Sequence, residues 1–295
     1  MKALRNRRWF FAFVLLLALG LPAPAEQPLL LPNRQDSVRF AVIGDSGTGG
    51  KKQYQVARWM AEYRERFPFE FVLMLGDNLY GGESQQDYER KFELPYKPLL
   101  GAGVEFHAVL GNHDQRDEAF YKPFHMDGRR FYTFQKKGMQ FFALDSNHMD
   151  QEQVKWVEKA LAESTAGWKI CFFHHPVYSS ARRHGSAMKL RAVLEPLFVK
   201  YGVNAAFSGH DHVYERVKPQ KGVYYFTSGA SAKLRKHNLE PSELTAAGFD
   251  TDNSFMLVEI TGDQLHFQVI SRTGETVDSG ALPRLSPEKT PSSSP

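Results

Sequence analysis

Residues 69–80 read FEFVLMLGDNLY, an apolar run of strand length that stops on Gly76-Asp77-Asn78. Glycine, aspartate and asparagine suit a turn for local backbone reasons, so the run reads as a buried strand delivering polar residues at its carboxyl end. The same grammar recurs at 38–47 (VRFAVIGDSG), 105–114 (EFHAVLGNHD), 169–176 (KICFFHHP) and 205–212 (AAFSGHDH). Working outward, strands are expected over 38–43, 69–75, 105–110, 139–144, 169–173, 205–207 and 224–227. Amphipathic stretches between them predict helices over 53–66, 85–95, 151–163 and 187–201. Residues 254–260 and 264–270, joined by Thr261-Gly262-Asp263, read as a closing hairpin. Strands alternating with helices make this an α/β chain, and no internal repeat interrupts the alternation.

The amino terminus follows another pattern. Lys2, Arg5, Arg7 and Arg8 precede an apolar run from Trp9 to Leu21, and Ala23-Pro24-Ala25 follows it. That is the form of a secretory leader over residues 1–25, and the run falls short of the ~18 to 20 residues that a membrane span needs. The leader holds four of the 37 Lys and Arg and none of the 33 Asp and Glu, leaving 33 of each sign. A sequence pI of about 9.0 therefore belongs largely to the leader and gives no support to a nucleic-acid or anionic-membrane partner. One cysteine, Cys171, makes no intrachain disulfide. Residues 284–295, rich in Pro and Ser, read as a disordered tail, which leaves one domain over 26–283.

Asp45, Asp77, Asn112, His174 and His210 all stand just past the carboxyl end of an expected strand, where open α/β sheets place their ligand sites. Taken singly, each Gly-Asp or Gly-Asn is more often a turn than a ligand. His210 and His212, two residues apart on one loop, can bring two imidazoles to one pair of metals. His107, His125, His148, His237 and His266 lie outside the motifs. Asp145 reads as a turn residue, with support of a ligand as its alternative; the basic loop from Lys233 to His237 reads as a solvated face, with selection of anionic leaving groups as its alternative.

The five blocks together, in this order, resemble the metallophosphoesterase (calcineurin-like) superfamily over nearly the whole chain beyond the leader. General members carry a histidine two residues after the first aspartate, where this sequence has Gly47, and here Tyr80 stands three residues after Asp77. That combination, with residues 210–216 (HDHVYER), resembles the short purple acid phosphatases of the tartrate-resistant type. The resemblance implies a four-layer α/β/β/α sandwich of two mixed sheets with a dinuclear metal site at the strand carboxyl ends. It implies Fe(III) on Asp45, Asp77, Tyr80 and His212, and Fe(II), Zn(II) or Mn(II) on Asp77, Asn112, His174 and His210, with Asp77 bridging. His174 is taken over His175 because the family's ligand stands two residues before the proline. His113 and His184 are implied to face the substrate.

The implied activity is that of a secreted or periplasmic acid phosphatase acting on small phosphorylated monoesters, without a nucleic-acid partner and without a membrane once the leader is removed. The alternatives are a phosphodiesterase or nucleotide pyrophosphatase using the same metals, and a silent metal- or phosphate-binding protein. Oligomeric state is left open. Phosphate-monoester hydrolysis needs up to ~10²¹ in rate, whereas one positioned acid or base gives ~10² to 10⁴. Two metals about 3.5 to 4 Å apart supply what side chains alone do not.

Overall fold

A computed structural model describes residues 28–285. The expected leader and all but the first two residues of the expected tail lie outside them; of those two, Arg284 pairs with Asp263 at 2.6 Å and Leu285 packs on the core. The strands are β1 (Val38–Ile43), β2 (Phe71–Met74), β3 (Glu105–Ala108), β4 (Tyr132–Lys136), β5 (Met139–Ala143), β6 (Trp168–Phe173), β7 (Ala205–Ser208), β8 (Tyr214–Gln220), β9 (Val223–Ser228), β10 (Thr245–Phe249), β11 (Ser254–Thr261), β12 (Gln264–Ser271) and β13 (Thr276–Pro283). The helices are α1 (Lys51–Arg66), α2 (Gln85–Tyr88), α3 (Lys97–Gly101), α4 (Gln151–Glu163) and α5 (Met188–Tyr201).

Two mixed sheets result, in the orders β13-β12-β11-β1-β2-β3 and β10-β8-β9-β7-β6-β5-β4. The run β1-β2-β3 is parallel, as is β5-β6-β7-β9. Alternation along each strand sorts the side chains between layers. Phe40 stacks on Phe71 at 5.2 Å and meets Phe141 and Phe207 of the other sheet edge-on at 5.5 and 6.0 Å. On the far side of the second sheet Phe142, Cys171, Phe173, Ala206 and Tyr225 pack with Val157, Leu161, Leu194 and Phe198 of α4 and α5. On the far side of the first, Tyr63 of α1 meets Phe255 at 6.2 Å. Helix, sheet, sheet, helix is the expected order of layers, and Cys171 is a packing residue inside its strand.

The differences from expectation lie at the sheet margins. β4, β10 and β13 are edge strands with partly exposed side chains, so no continuous apolar run marks them. β8 carries Lys218 and Pro219 where its register with β9 shifts, and a proline inside an apolar pattern argues against a strand. The helix expected over 85–95 is one α turn, capped by Ser84 and Asp87, that widens into a π turn at Glu89–Glu93. Among the described residues no helix is long and apolar enough to cross a membrane.

Candidate metal centre

The chain leaves β1 and β2 through tight corners. Asp45 (φ 54°), Asp77 (φ 51°) and His210 (φ 65°) occupy the left-handed region, which costs on the order of 1–3 kcal/mol per non-glycine residue and is held only where surroundings over-determine it. Here they do. Asp45 N–H donates to the Gly76 carbonyl at 3.0 Å, Gly47 N–H to Asp77 O at 3.3 Å and Tyr80 N–H to Gly47 O at 2.9 Å, lacing the two corners together. A Cβ on Gly47 would lie 1.7 Å from the Asn78 carbonyl oxygen, so this backbone has no room for a side chain there. The close approach that excludes a histidine at Gly47 is the same one that carries Tyr80 over the site.

Two groups of donor atoms meet at Asp77. Its Oδ2 accepts the Tyr80 hydroxyl at 2.6 Å; that hydroxyl oxygen also lies 3.1 Å from Asp45 Oδ1 and 3.3 Å from His212 Nε2. Its Oδ1 accepts His113 N–H at 3.0 Å and lies 3.5 Å from His174 Nε2. His174 Nε2 is in turn 3.0 Å from Asn112 Oδ1 and 3.1 Å from His210 Nδ1. The ligand atoms of Asp45, Asp77 and His212 lie within 4.8 Å of one another, as do those of His174, His175 and His210. Each oxygen of one carboxylate thus faces a different group, which is the disposition a bridging ligand requires.

Charge and burial set the protonation states. Burial, then the neighbouring Asp77, pushes the Asp45 carboxyl well above its usual range. Burial alone would raise Asp77 too, but His174 and hydrogen bonds from Tyr80 and His113 N–H leave it below its ordinary value. The pair therefore favours one charge. Burial and both carboxylates hold Tyr80 as a neutral phenol. Burial lowers His174 and His212 to about 4, and burial with the neighbouring histidines lowers His210 to about 2, so these imidazoles are neutral at neutral pH with a lone pair to offer. His174 Nδ1 sits 2.8 Å from the Leu75 carbonyl, leaving Nε2 for the site, the orientation typical of a metal-bound histidine. Oxygen and imidazole donors converge on more lone pairs than the Tyr80 hydrogen can satisfy, a set that fits hard or borderline cations.

All seven expected ligand residues come together here. His113 and His184 flank them, the first ring 5.0 Å from Tyr80 and the second 4.3 Å from His210. The five histidines outside the motifs are absent from both donor groups. Several supporting residues had no expected role or, like Asp145, held one only as an alternative. His175 joins the second group, with Nδ1 2.9 Å from Ser146 Oγ. Asp114 accepts from Gly111 N–H, Leu79 N–H and Asn78 Nδ2 at 2.8, 3.0 and 3.0 Å. Asp145 is more than a turn residue: it takes Arg130 at 2.6 Å and Asn147 N–H at 3.0 Å, while Asn147 Nδ2 donates to the carbonyls of Leu110 and Gly111 at 3.1 Å each. The GNHD spacing is the signal for Asp114; nothing local marks the others.

Residues 38–214 match the family model described as calcineurin-like phosphoesterase. The chain is 26% identical to tartrate-resistant acid phosphatase type 5 of Homo sapiens over 315 residues, covering 88% of this chain and 96% of that one. It is 29% identical to purple acid phosphatase 4 of Arabidopsis thaliana over 292 residues, covering 85% and 86%. Among solved structures, purple acid phosphatase PPD1 from yellow lupin superposes with a TM-score of 0.72 at 19% identity, over 86% of this chain and 55% of that one. GAP50, the anchor in the inner membrane complex of Plasmodium, gives the same TM-score and identity over 86% and 90%. A shared fold with an anchor and a phosphatase leaves function to be argued from the site. With the family model spanning most of the chain and the donor groups in place, the protein belongs to the calcineurin-like phosphoesterase family, as a metal-dependent hydrolase of phosphoric esters.

Proposed function

We propose that this protein is an exported acid phosphatase that hydrolyses phosphate monoesters at a dinuclear centre of Fe(III) with Fe(II), Zn(II) or Mn(II). The observation that carries the reading is Tyr80, whose hydroxyl lies between Asp45, Asp77 and His212 beside a Gly47 that leaves no room for a histidine. Asp45, Asp77, Tyr80 and His212 would hold the ferric ion, and Asp77, Asn112, His174 and His210 its divalent partner. When bound, such a pair supplies Lewis-acid charge to the phosphoryl oxygens and lowers the pKa of a coordinated water.

The protein's own groups do the rest. Asp77 fixes the spacing of the two donor groups through its two oxygens, and the Leu75 carbonyl fixes the His174 ring. His113 and His184 bracket the centre from the Tyr80 and His210 sides, where each can hold a proton against a phosphoryl or leaving oxygen. Small phosphorylated compounds are the substrates in this reading. Export rests on the leader read in residues 1–25, and mass analysis of protein recovered outside the cytoplasm should find a mature chain beginning near Glu26.

The test is hydrolysis of an aryl phosphate monoester and a bis-aryl diester across pH by protein loaded with iron and a divalent metal. Turnover of the monoester at acid pH is expected, with a phenolate-to-iron absorption band that disappears in Tyr80→Phe. Preference for the diester, or full activity without iron, would overturn the assignment.

A further inference from the structure

The loop after β9, expected to be a solvated face, is turned inward at alternate residues. Lys233 N–H donates to the Asp45 carbonyl at 3.1 Å and Arg235 N–H to the His212 carbonyl at 3.0 Å. The buried Asn253 amide clamps the same loop, donating to the carbonyls of Ala230 and Lys233 at 2.9 and 2.8 Å. The Lys233 ammonium lies 4.2 Å from the centroid of the Tyr80 ring, and Arg235 Nη1 is buried with no hydrogen-bond partner. Lys236 and His237 point to solvent.

Lys233 and Arg235 therefore stand against two ligand residues of the centre, Tyr80 and His212. Arg182, on the loop after β6, is paired with Glu240 at 2.7 Å, whereas Lys233 and Arg235, both part-buried, have no carboxylate partner among the described residues. A cation kept for structure pairs with a carboxylate, and one kept for solubility points outward. These do neither.

The reacting phosphate does not account for them. Fe(III) and a divalent ion would already be in balance with the carboxylates of Asp45 and Asp77, the Tyr80 phenolate and one phosphate dianion, so the two cations call for further negative charge beside the reacting group.

We infer that Lys233 and Arg235 form a recognition rim for a second anionic group carried by the leaving group, selecting phosphate monoesters whose alcohol bears its own phosphate or carboxylate. Arg235 offers a planar fork suited to either oxyanion, and Lys233 a point charge on the Tyr80 side. The inference rests on the phosphatase reading. In the reaction, one oxygen from water joins the scissile phosphorus and the ester P–O bond breaks. The alcohol oxygen leaves with its second anion still held and takes up a proton.

Phenyl phosphate, 4-carboxyphenyl phosphate and 1,4-phenylene bisphosphate separate the contributions, since all three present the same scissile ester. In metal-loaded protein, the doubly anionic esters should show the higher kcat/KM, by about tenfold to a hundredfold for each cation engaged, expressed in KM. In Arg235→Gln and Lys233→Gln, checked for unchanged metal content and melting, that ratio should fall toward one, and Arg235→Lys should restore part of it. Whether carboxylate or phosphate is the favoured group is read from the two esters. Equal losses on all three substrates would assign the cations to the reacting phosphate and overturn the inference, as would selectivity that survives both variants.

Calorimetry with methylenediphosphonate against methylphosphonate gives the same comparison without turnover. A protein inert to all three esters fails the phosphatase reading, and the calorimetric ratio in wild type and variants then decides the rim by itself.

Discussion

Asp77 holds the centre together. Its two oxygens face different donor groups, and its corner is bonded to that of Asp45. Its neighbours were legible because each ligand type follows an apolar run, and Tyr80 stood out against the missing histidine at position 47. His175 and Arg235 were not legible, because nothing local tells which of two adjacent histidines, or which residues of a basic run, turn inward. His113→Ala should lower kcat by about 10² to 10⁴ while leaving metal content intact, as expected for a proton donor rather than a ligand. Gly47→Ala forces a methyl against the Asn78 carbonyl. It should lose about 1–3 kcal/mol in urea denaturation and loosen metal binding as well, because the same contact positions Tyr80.

At the scale of elements, the site is a meeting of loops from the ends of parallel strands in two sheets. Most interior strands were legible as apolar runs, β8 with its Lys218 and Pro219 excepted; at the margins β3 was legible, whereas β4, β10 and β13 were not, since they expose part of each strand. What joins the loops also escaped the sequence. Asp114 collects three donors from the corners after β2 and β3; the GNHD spacing marks the residue but not the long-range contacts it makes. Asp114→Ala leaves the Gly111 and Leu79 N–H groups short of an acceptor, at about 1–3 kcal/mol for each that finds no water. Its expected result is a lower denaturation midpoint together with weaker metal binding in a chelator competition. An unchanged metal affinity would confine Asp114 to stability.

Over the whole molecule, face-to-face sheets leave few titratable groups inside, and one of them sets acid behaviour away from the centre. His107 of β3 stacks on Phe134 at 3.7 Å, and burial lowers it to about 4. An unfolded histidine titrates near 6.5, so the unfolded state binds the proton first as pH falls. Stability is therefore unaffected above that value, declines between about 6.5 and 4, and is flat in this contribution below. The loss amounts to about 3 kcal/mol. His107→Phe should flatten that limb in urea denaturation followed against pH. Loaded protein should also melt higher than chelator-treated protein, since bound metal stabilises the native state by mass action. The most direct test of a metal-dependent phosphatase organised around Asp77 compares wild type with Asp77→Ala, measuring metal bound per chain and turnover of an aryl phosphate monoester at acid pH. Wild type should bind two metals and turn over, while the variant loses both metal and activity and stays folded. A variant that keeps the full metal complement and rate, or a metal-replete wild type that turns over nothing, would contradict it.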